Sequence, residues 1–270
     1  MAPNDSGLSK KDRQEAARAK AFELKKQQQK REARARLITL VSVVVGLALV
    51  VVLVVVIVKQ GTKDAAVTSA GPVTATAANG GIPFGKDGTA GTSNEGAVDV
   101  AVYVDFMCPA CGQFESTNTA NLDEMREAGD ITLTMHPIAI LDRLSQGTQY
   151  STRAAAAFSY VADKDPEHAL AFSKQLFANQ PEENSTGNTD EQLVGFAKAA
   201  GVPDDVAEAS VKGAFTDWVS QSTHVATATT ALQGPKGFVT PTIVLDGERY
   251  AGDFGDADTF RSDVLALKQG

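Results

Sequence analysis

Cys108 and Cys111 are the two cysteines of this 270-residue chain, and both lie in one four-residue window inside YVDFMCPACGQFE, residues 103–115. Three chemistries use such a pair. As a structural staple it is weak, because it closes a tiny loop and the constraint on an unfolded chain grows with loop length. As half of a structural metal site it lacks a second half. Such sites want two pairs of Cys or His, and His136, His168 and His224 are scattered along the chain. No metal is therefore expected. As a redox couple the pair fits its surroundings. Cysteines at i and i+3 on a helix share a face, and Pro109 suits a first helical turn, where its missing N–H costs nothing. Cys108 then stands at a helix N-terminus, where free N–H groups and the macrodipole stabilise a thiolate and bring its pKa to about 3.5–7.5 in comparable motifs. A stabilised thiolate also stabilises the reduced form, which makes the disulfide more oxidising.

Disulfide chemistry is at home outside the cytoplasm, and the N-terminal region places the pair there. Residues 1–36 hold eleven Lys/Arg against five Asp/Glu, so with a whole-chain charge of −8 the remainder carries −14. That acidic bulk argues against nucleic acid as a partner. Leu37–Val58 is an uncharged run of 22 residues, which as a helix spans ~33 Å and can cross a bilayer core. It exceeds the apolar segment of a cleavable signal peptide, so an uncleaved anchor is expected. Arg31, Arg34 and Arg36 precede it, and the basic excess predicts a cytoplasmic tail with residues 59–270 outside the cell membrane. Residues 59–81, small and polar, read as a flexible linker.

From residue 82 a folded domain is expected to run to 270. A short edge strand near Ile82 precedes AVDVAVYVDFM, whose Val98, Val100, Val102, Val104 and Phe106 alternate with Asp99, Ala101, Tyr103 and Asp105. Residues 109–128 read as a helix with Phe114, Leu122 and Met125 inward, and DITLTMHPI as a second strand ended by Pro137. Helical patterns fill about 145–230, with 204–227 reading as one of them. VTPTIVLDGERYAG gives two strands joined by an Asp246-Gly247 turn, and a helix follows. The order predicts an α/β fold whose first two long strands are parallel. His136 reads as structural and Trp218 as core or cap of the helical block.

The strand, CPAC, helix, helical block and then VTPT with a hairpin resemble the thioredoxin fold, and the inserted block resembles the DsbA-like branch of thiol:disulfide oxidoreductases. VDFMCPAC is similar to the form found in membrane-anchored actinobacterial members. The resemblance implies an α/β thioredoxin-like fold with an inserted helical domain, preceded by a single transmembrane helix. It implies that Cys108 is the exposed attacking and leaving sulfur and Cys111 the shielded one. Thr240-Pro241 would form a cis-proline loop with Thr240 backbone groups free to align a substrate. Pro109 and Ala110 would modulate the helix start. The activity implied is an oxidase acting on exported proteins with reduced cysteines, with no cofactor and with a quinone-linked membrane protein as reoxidising partner. Two departures stand out. Many relatives carry a buried acid where this chain has Val102, which leaves Asp105 as candidate proton relay or as a plain polar strand-end residue. Ala110 replaces the His of Escherichia-type oxidases, which implies a milder oxidant. A reductase or isomerase of the same fold, and a tethered metal chaperone using both thiolates, are the alternatives.

Overall fold

The computed structural model describes residues 67–76 and 79–268. The expected tail (1–36), transmembrane helix (37–58) and first part of the linker (59–66) lie outside them. Among the described residues no helix is long and apolar enough to cross a membrane.

Five strands form one sheet: β1 (Ile82–Phe84), β2 (Val98–Val104), β3 (Ile131–Pro137), β4 (Thr242–Leu245) and β5 (Glu248–Arg249), in the order β1-β3-β2-β4-β5. Helix α1 (Pro109–Ala128) crosses from β2 to β3, so these two run parallel, with Val98 opposite Ile131 and Val104 opposite Pro137. The other three pairings are antiparallel. Asp246 and Gly247 both take positive φ, 47° and 88°, as a type I′ turn between β4 and β5 requires.

The alternation in β2 becomes two packed faces. Val98, Val100, Val102 and Val104 join Phe114, Leu122 and Met125 of α1 and Phe260 and Val264 of α7 (Ala257–Leu267) in one core. Ala101 and Tyr103 form a smaller core with Ile138, Ala226, Leu232 and Val244. A sheet covered on both faces explains why even its polar strand residues, Thr132, Thr134 and His136, are buried.

Between β3 and β4 lie α2 (Tyr150–Lys164), α3 (Ala169–Ala178), α4 (Asp190–Ala199), α5 (Asp204–Ser210) and α6 (Thr216–Ala228). Ala154–Ala157 of α2 are all buried, their small side chains letting the neighbouring helices approach. Thr189 and Gln192 close a reciprocal capping box on α4. The pattern at 204–227, expected as one helical segment, is two helices. Gly213, at φ 75°, takes a left-handed conformation between them.

A second difference concerns the linker. Residues 67–76 do not hang free but lie against the helical block as a strap. The Thr68 and Ser69 N–H groups both donate to Gln221 Oε1 at 2.6 Å, and Val73 N–H donates to Asp163 Oδ1 at 2.7 Å. The strap's small residues, read from sequence as tether composition, are what permit the approach: a Cβ on Gly71 would fall 2.2 Å from the Trp218 indole nitrogen. Trp218 is thereby 3% exposed. It is the single tryptophan of the chain, which gives a direct check. Gly71→Val should lift the strap, red-shift the tryptophan emission and increase acrylamide quenching; an unchanged spectrum would contradict this packing.

Candidate active site

The cysteine pair sits where β2 hands over to α1. Cys108 is the N-cap of α1, with extended backbone (φ −77°, ψ 115°), and Pro109 occupies the first helical turn. The Cys108 carbonyl accepts the N–H groups of Cys111 (2.9 Å) and Gly112 (3.2 Å), which closes the first turn. Both cysteines are thiols, with Cys108 7% exposed and Cys111 fully buried. Pro109 and Ala110 between them are exposed.

Thr240 and Pro241 complete the centre. Their peptide bond is cis, and the Cys108 thiol donates to the Thr240 carbonyl at 3.2 Å. This modifies two expectations. Cys108 is less open than expected, because the Thr240 loop lies against its sulfur. The Thr240 carbonyl is also not free while Cys108 is protonated, since the thiol occupies it.

The two sulfurs differ in acidity. Cys108 is brought down to about 6, chiefly by the adjacent Cys111 thiol, then by the Thr240 side chain and the N–H groups of Cys111 and Ala110, against an opposing desolvation. Burial pushes the Cys111 thiol well above its ordinary value, and the neighbouring Cys108 adds to this. One sulfur is thus a thiolate at neutral pH while the other keeps its proton.

Asp105 has no exposed surface. Its carboxylate accepts Met107 N–H and Leu141 N–H, each at 2.9 Å, one on each oxygen. Burial raises its pKa to about 6; the Met107 amide, Ser151 and the Leu141 amide oppose this, and the negative Cys108 adds to it. Asp105 also acts on Cys111 in two opposed ways: a hydrogen bond to its backbone lowers the thiol's pKa, and the charge of its carboxylate raises it. Asp105 is therefore no exposed strand-end residue: it is buried just past β2, with both oxygens holding backbone N–H groups of neighbouring turns. Val102 is buried in the apolar core on β2.

Sequence reasoning missed Gln180. From the loop after α3 its amide nitrogen donates to the carbonyls of Phe106 (3.1 Å) and Cys108 (2.9 Å). Local pattern carries no signal for a contact across 72 residues; the bare Gly112 in α1, against which its oxygen lies, was the one available hint. His136 packs as a buried aromatic, stacked on Tyr103 at 4.0 Å and held neutral by burial, its pKa down at about 3. A cavity of 440 Å³ between α2 and α6, lined by Asp142, Arg153 and Asp217 among others, includes none of the site residues. Among the described residues no three His, Cys, Asp or Glu side chains gather as metal ligands.

A thioredoxin family model matches residues 89–261, more than half of the chain. The chain belongs to the thioredoxin family. Within this family its fold is similar to reduced DsbA from Mycobacterium tuberculosis (24% identity, TM-score 0.53, 70% of this chain and 98% of that one). MdbA, a thiol-disulfide oxidoreductase from Actinomyces oris, aligns with a TM-score of 0.55 at 21% identity over 73% of this chain and 91% of that one. BdbD from Bacillus subtilis does so with 0.55 at 22% identity over 75% and 98%. A curated relative is the serine/threonine-protein kinase PknE of Mycobacterium tuberculosis, 29% identical over 166 residues, 60% of this chain. The chain spans only 29% of that relative's length. These likenesses establish the thioredoxin fold with a helical block inserted between β3 and β4.

The acidity difference has a direct readout. Alkylation of the reduced protein by iodoacetamide should occur at Cys108 alone, with a rate rising through about pH 6. Cys111 should stay unmodified at neutral pH in the folded protein. Equal labelling of both sulfurs would overturn the assignment of acidities.

Proposed function

We propose that this member of the thioredoxin family is a membrane-anchored, extracytoplasmic thiol:disulfide oxidase that introduces disulfide bonds into exported proteins. The observation that carries the reading is the opposite acidity of two sulfurs one helical turn apart, Cys108 low and Cys111 high. The location rests on the apolar run at 37–58 and the basic residues before it. The similarity to MdbA of Actinomyces oris, a thiol-disulfide oxidoreductase, supports the chemistry.

In the disulfide form a substrate thiolate attacks Cys108 Sγ. The Cys108–Cys111 bond breaks and its electron pair goes to Cys111. Burial makes a thiolate at Cys111 unfavourable, so that sulfur must take up a proton, and Asp105, with a pKa of about 6, is the acid beside it. A second substrate thiolate then attacks the substrate sulfur of the mixed disulfide. Cys108 leaves as the thiolate that the helix start and Thr240 stabilise. The substrate loses two electrons and gains a disulfide; the enzyme ends as the dithiol. A quinone-linked membrane protein is the expected acceptor of those electrons. Stabilising the leaving thiolate favours this direction over reduction.

Equilibration with glutathione buffers tests the direction. The couple should lie well above about −270 mV, the thioredoxin value, and toward about −120 mV; a result near the former would establish a reductant instead. Cys111→Ser should accumulate a mixed disulfide between Cys108 and a substrate cysteine, while Cys108→Ser should trap nothing.

Asp105 is separately testable. Asp105→Asn should slow attack of a thiolate on the Cys108–Cys111 disulfide, where Cys108 itself does not titrate, by about a hundredfold, as loss of a general acid does, while the step near pH 6 in alkylation of reduced Cys108 persists. The folded-state pKa of Asp105 is raised, so its contribution to stability is fully present below pH 3.8 and is lost as pH rises through about 6. The wild-type protein should therefore lose stability relative to the variant across that window, read from urea midpoints.

A further inference from the structure

The inserted helices do more than cover the sheet, because one side chain ties them to the redox turn. Gln180 follows α3, whose Phe177 packs on Phe106 at 5.0 Å between ring centres. Its amide nitrogen bridges two carbonyls, Phe106 at 3.1 Å and Cys108 at 2.9 Å. Phe106 is fully buried, so its carbonyl needs a protein partner, and a buried acceptor left unpaired is costly. The amide oxygen of Gln180 lies against Gly112, 2.5 Å from where a Cβ would stand. Glycine is disfavoured inside helices, yet here the bare position is what lets the amide reach the turn.

We infer that Gln180 is a positioning residue for the redox couple: by holding the Phe106 and Cys108 carbonyls it fixes the peptide planes on either side of Met107 and Cys108, and so the aim of the Cys108 sulfur at the start of α1. The geometry explains how. The Cys108 carbonyl receives three donors, from Cys111, Gly112 and Gln180. Two of them are the helix itself; Gln180 is the one that comes from another part of the fold. The Cys108 sulfur lies beside the N–H groups of Ala110 and Cys111 and the Thr240 loop, and the backbone that carries it there is the one Gln180 holds. An amide donor on the Cys108 carbonyl also offsets the negative end of that dipole close to the thiolate. The helical block thereby sets how strongly the couple oxidises, although none of its helices carries a cysteine. This inference rests on the Cys108–Cys111 pair being redox-active.

Two near-isosteric variants separate position from packing. Gln180→Met keeps the chain length and removes the donor; Gln180→Glu replaces the donor with an acceptor and places a negative charge at the turn. The readouts are thiolate absorbance at 240 nm against pH and the equilibrium with glutathione. The midpoint of thiolate formation should move up by about half a pH unit or more in Gln180→Met and further in Gln180→Glu, with the glutathione equilibrium moving toward disulfide by about threefold or more, since one pH unit corresponds to a factor of ten. Gly112→Ala, which pushes on the amide oxygen and leaves Gln180 itself intact, should shift both readouts in the same direction. It also guards against either Gln180 variant failing to fold. Folded variants that titrate and equilibrate like wild type would overturn the role of Gln180. A wild-type protein that forms no Cys108–Cys111 disulfide in oxidised glutathione would instead overturn the proposed function, and this inference with it.

Discussion

Two chemically identical thiols, one helical turn apart, must be made different, and the rest of this domain follows from how that is done. Free N–H groups at the start of a helix stabilise negative charge, but only within the first turn. Cys108 as N-cap of α1 receives that effect. Cys111, three residues on, is turned into the core and has no exposed surface. Desolvation there disfavours the thiolate more than the dipole favours it. The result is a nucleophile and leaving group under the Thr240 loop and a protonated partner deeper behind it, obtained from backbone geometry and burial without a charged side chain between them. Ala110 in that place removes one further influence, so the helix start, the Thr240 loop and the second sulfur set the acidity of Cys108.

The fold delivers the Thr240 loop by topology. β2 ends at Val104, just before the cysteines, and β4 pairs antiparallel to it, with Tyr103 opposite Thr242. The residues that precede β4 therefore must lie beside the residues that follow β2. This is how a sulfur and a carbonyl 132 residues apart come within 3.2 Å. The parallel pairing of β2 with β3 does the same on the other side. It brings Leu141, just past β3, close enough for its N–H to hold the carboxylate of Asp105, just past β2. Both contacts use strand ends, where the chain is free to turn while the strands fix where it turns.

What could be read from the sequence was whatever local pattern determines. The alternation in β2, the helix start at Pro109, the Asp246-Gly247 turn and the parallel crossover each depend on a few neighbouring residues, and the structure carries all four. The break in the pattern at 204–227 was a single glycine, and isolated glycines in helices are often tolerated; only its left-handed φ makes Gly213 a divider. The strap was misread for a related reason. Small residues mark both a free tether and a chain lying flat on a surface, and which one obtains depends on Trp218, Gln221 and Asp163 across the fold. At the site, Cys108 and Cys111 announced themselves by type and spacing, and Thr240 and Pro241 only through the family resemblance. Gln180 did not, since a glutamine in a polar loop looks like any other until its two acceptors are in place.

Asp105 shows why position along a strand matters more than residue type. A carboxyl at Val102 would point into the apolar core among Val100, Val104 and their neighbours, an arrangement this chain does not use. Asp105 lies one residue beyond the end of β2, where the backbone turns and leaves N–H groups unpaired. Met107 and Leu141 supply two of them, one to each oxygen. A buried carboxylate with no donors would stay protonated far above neutrality, and one with many would ionise well below its ordinary pKa. These two donors and Ser151, set against complete burial, leave Asp105 near 6, where giving up and taking back a proton are both easy. The nearby Cys108 thiolate holds that balance up and Cys111 responds to it. The acid and the two sulfurs therefore behave as one coupled unit, and moving charge to either sulfur changes the readiness of Asp105 to release its proton.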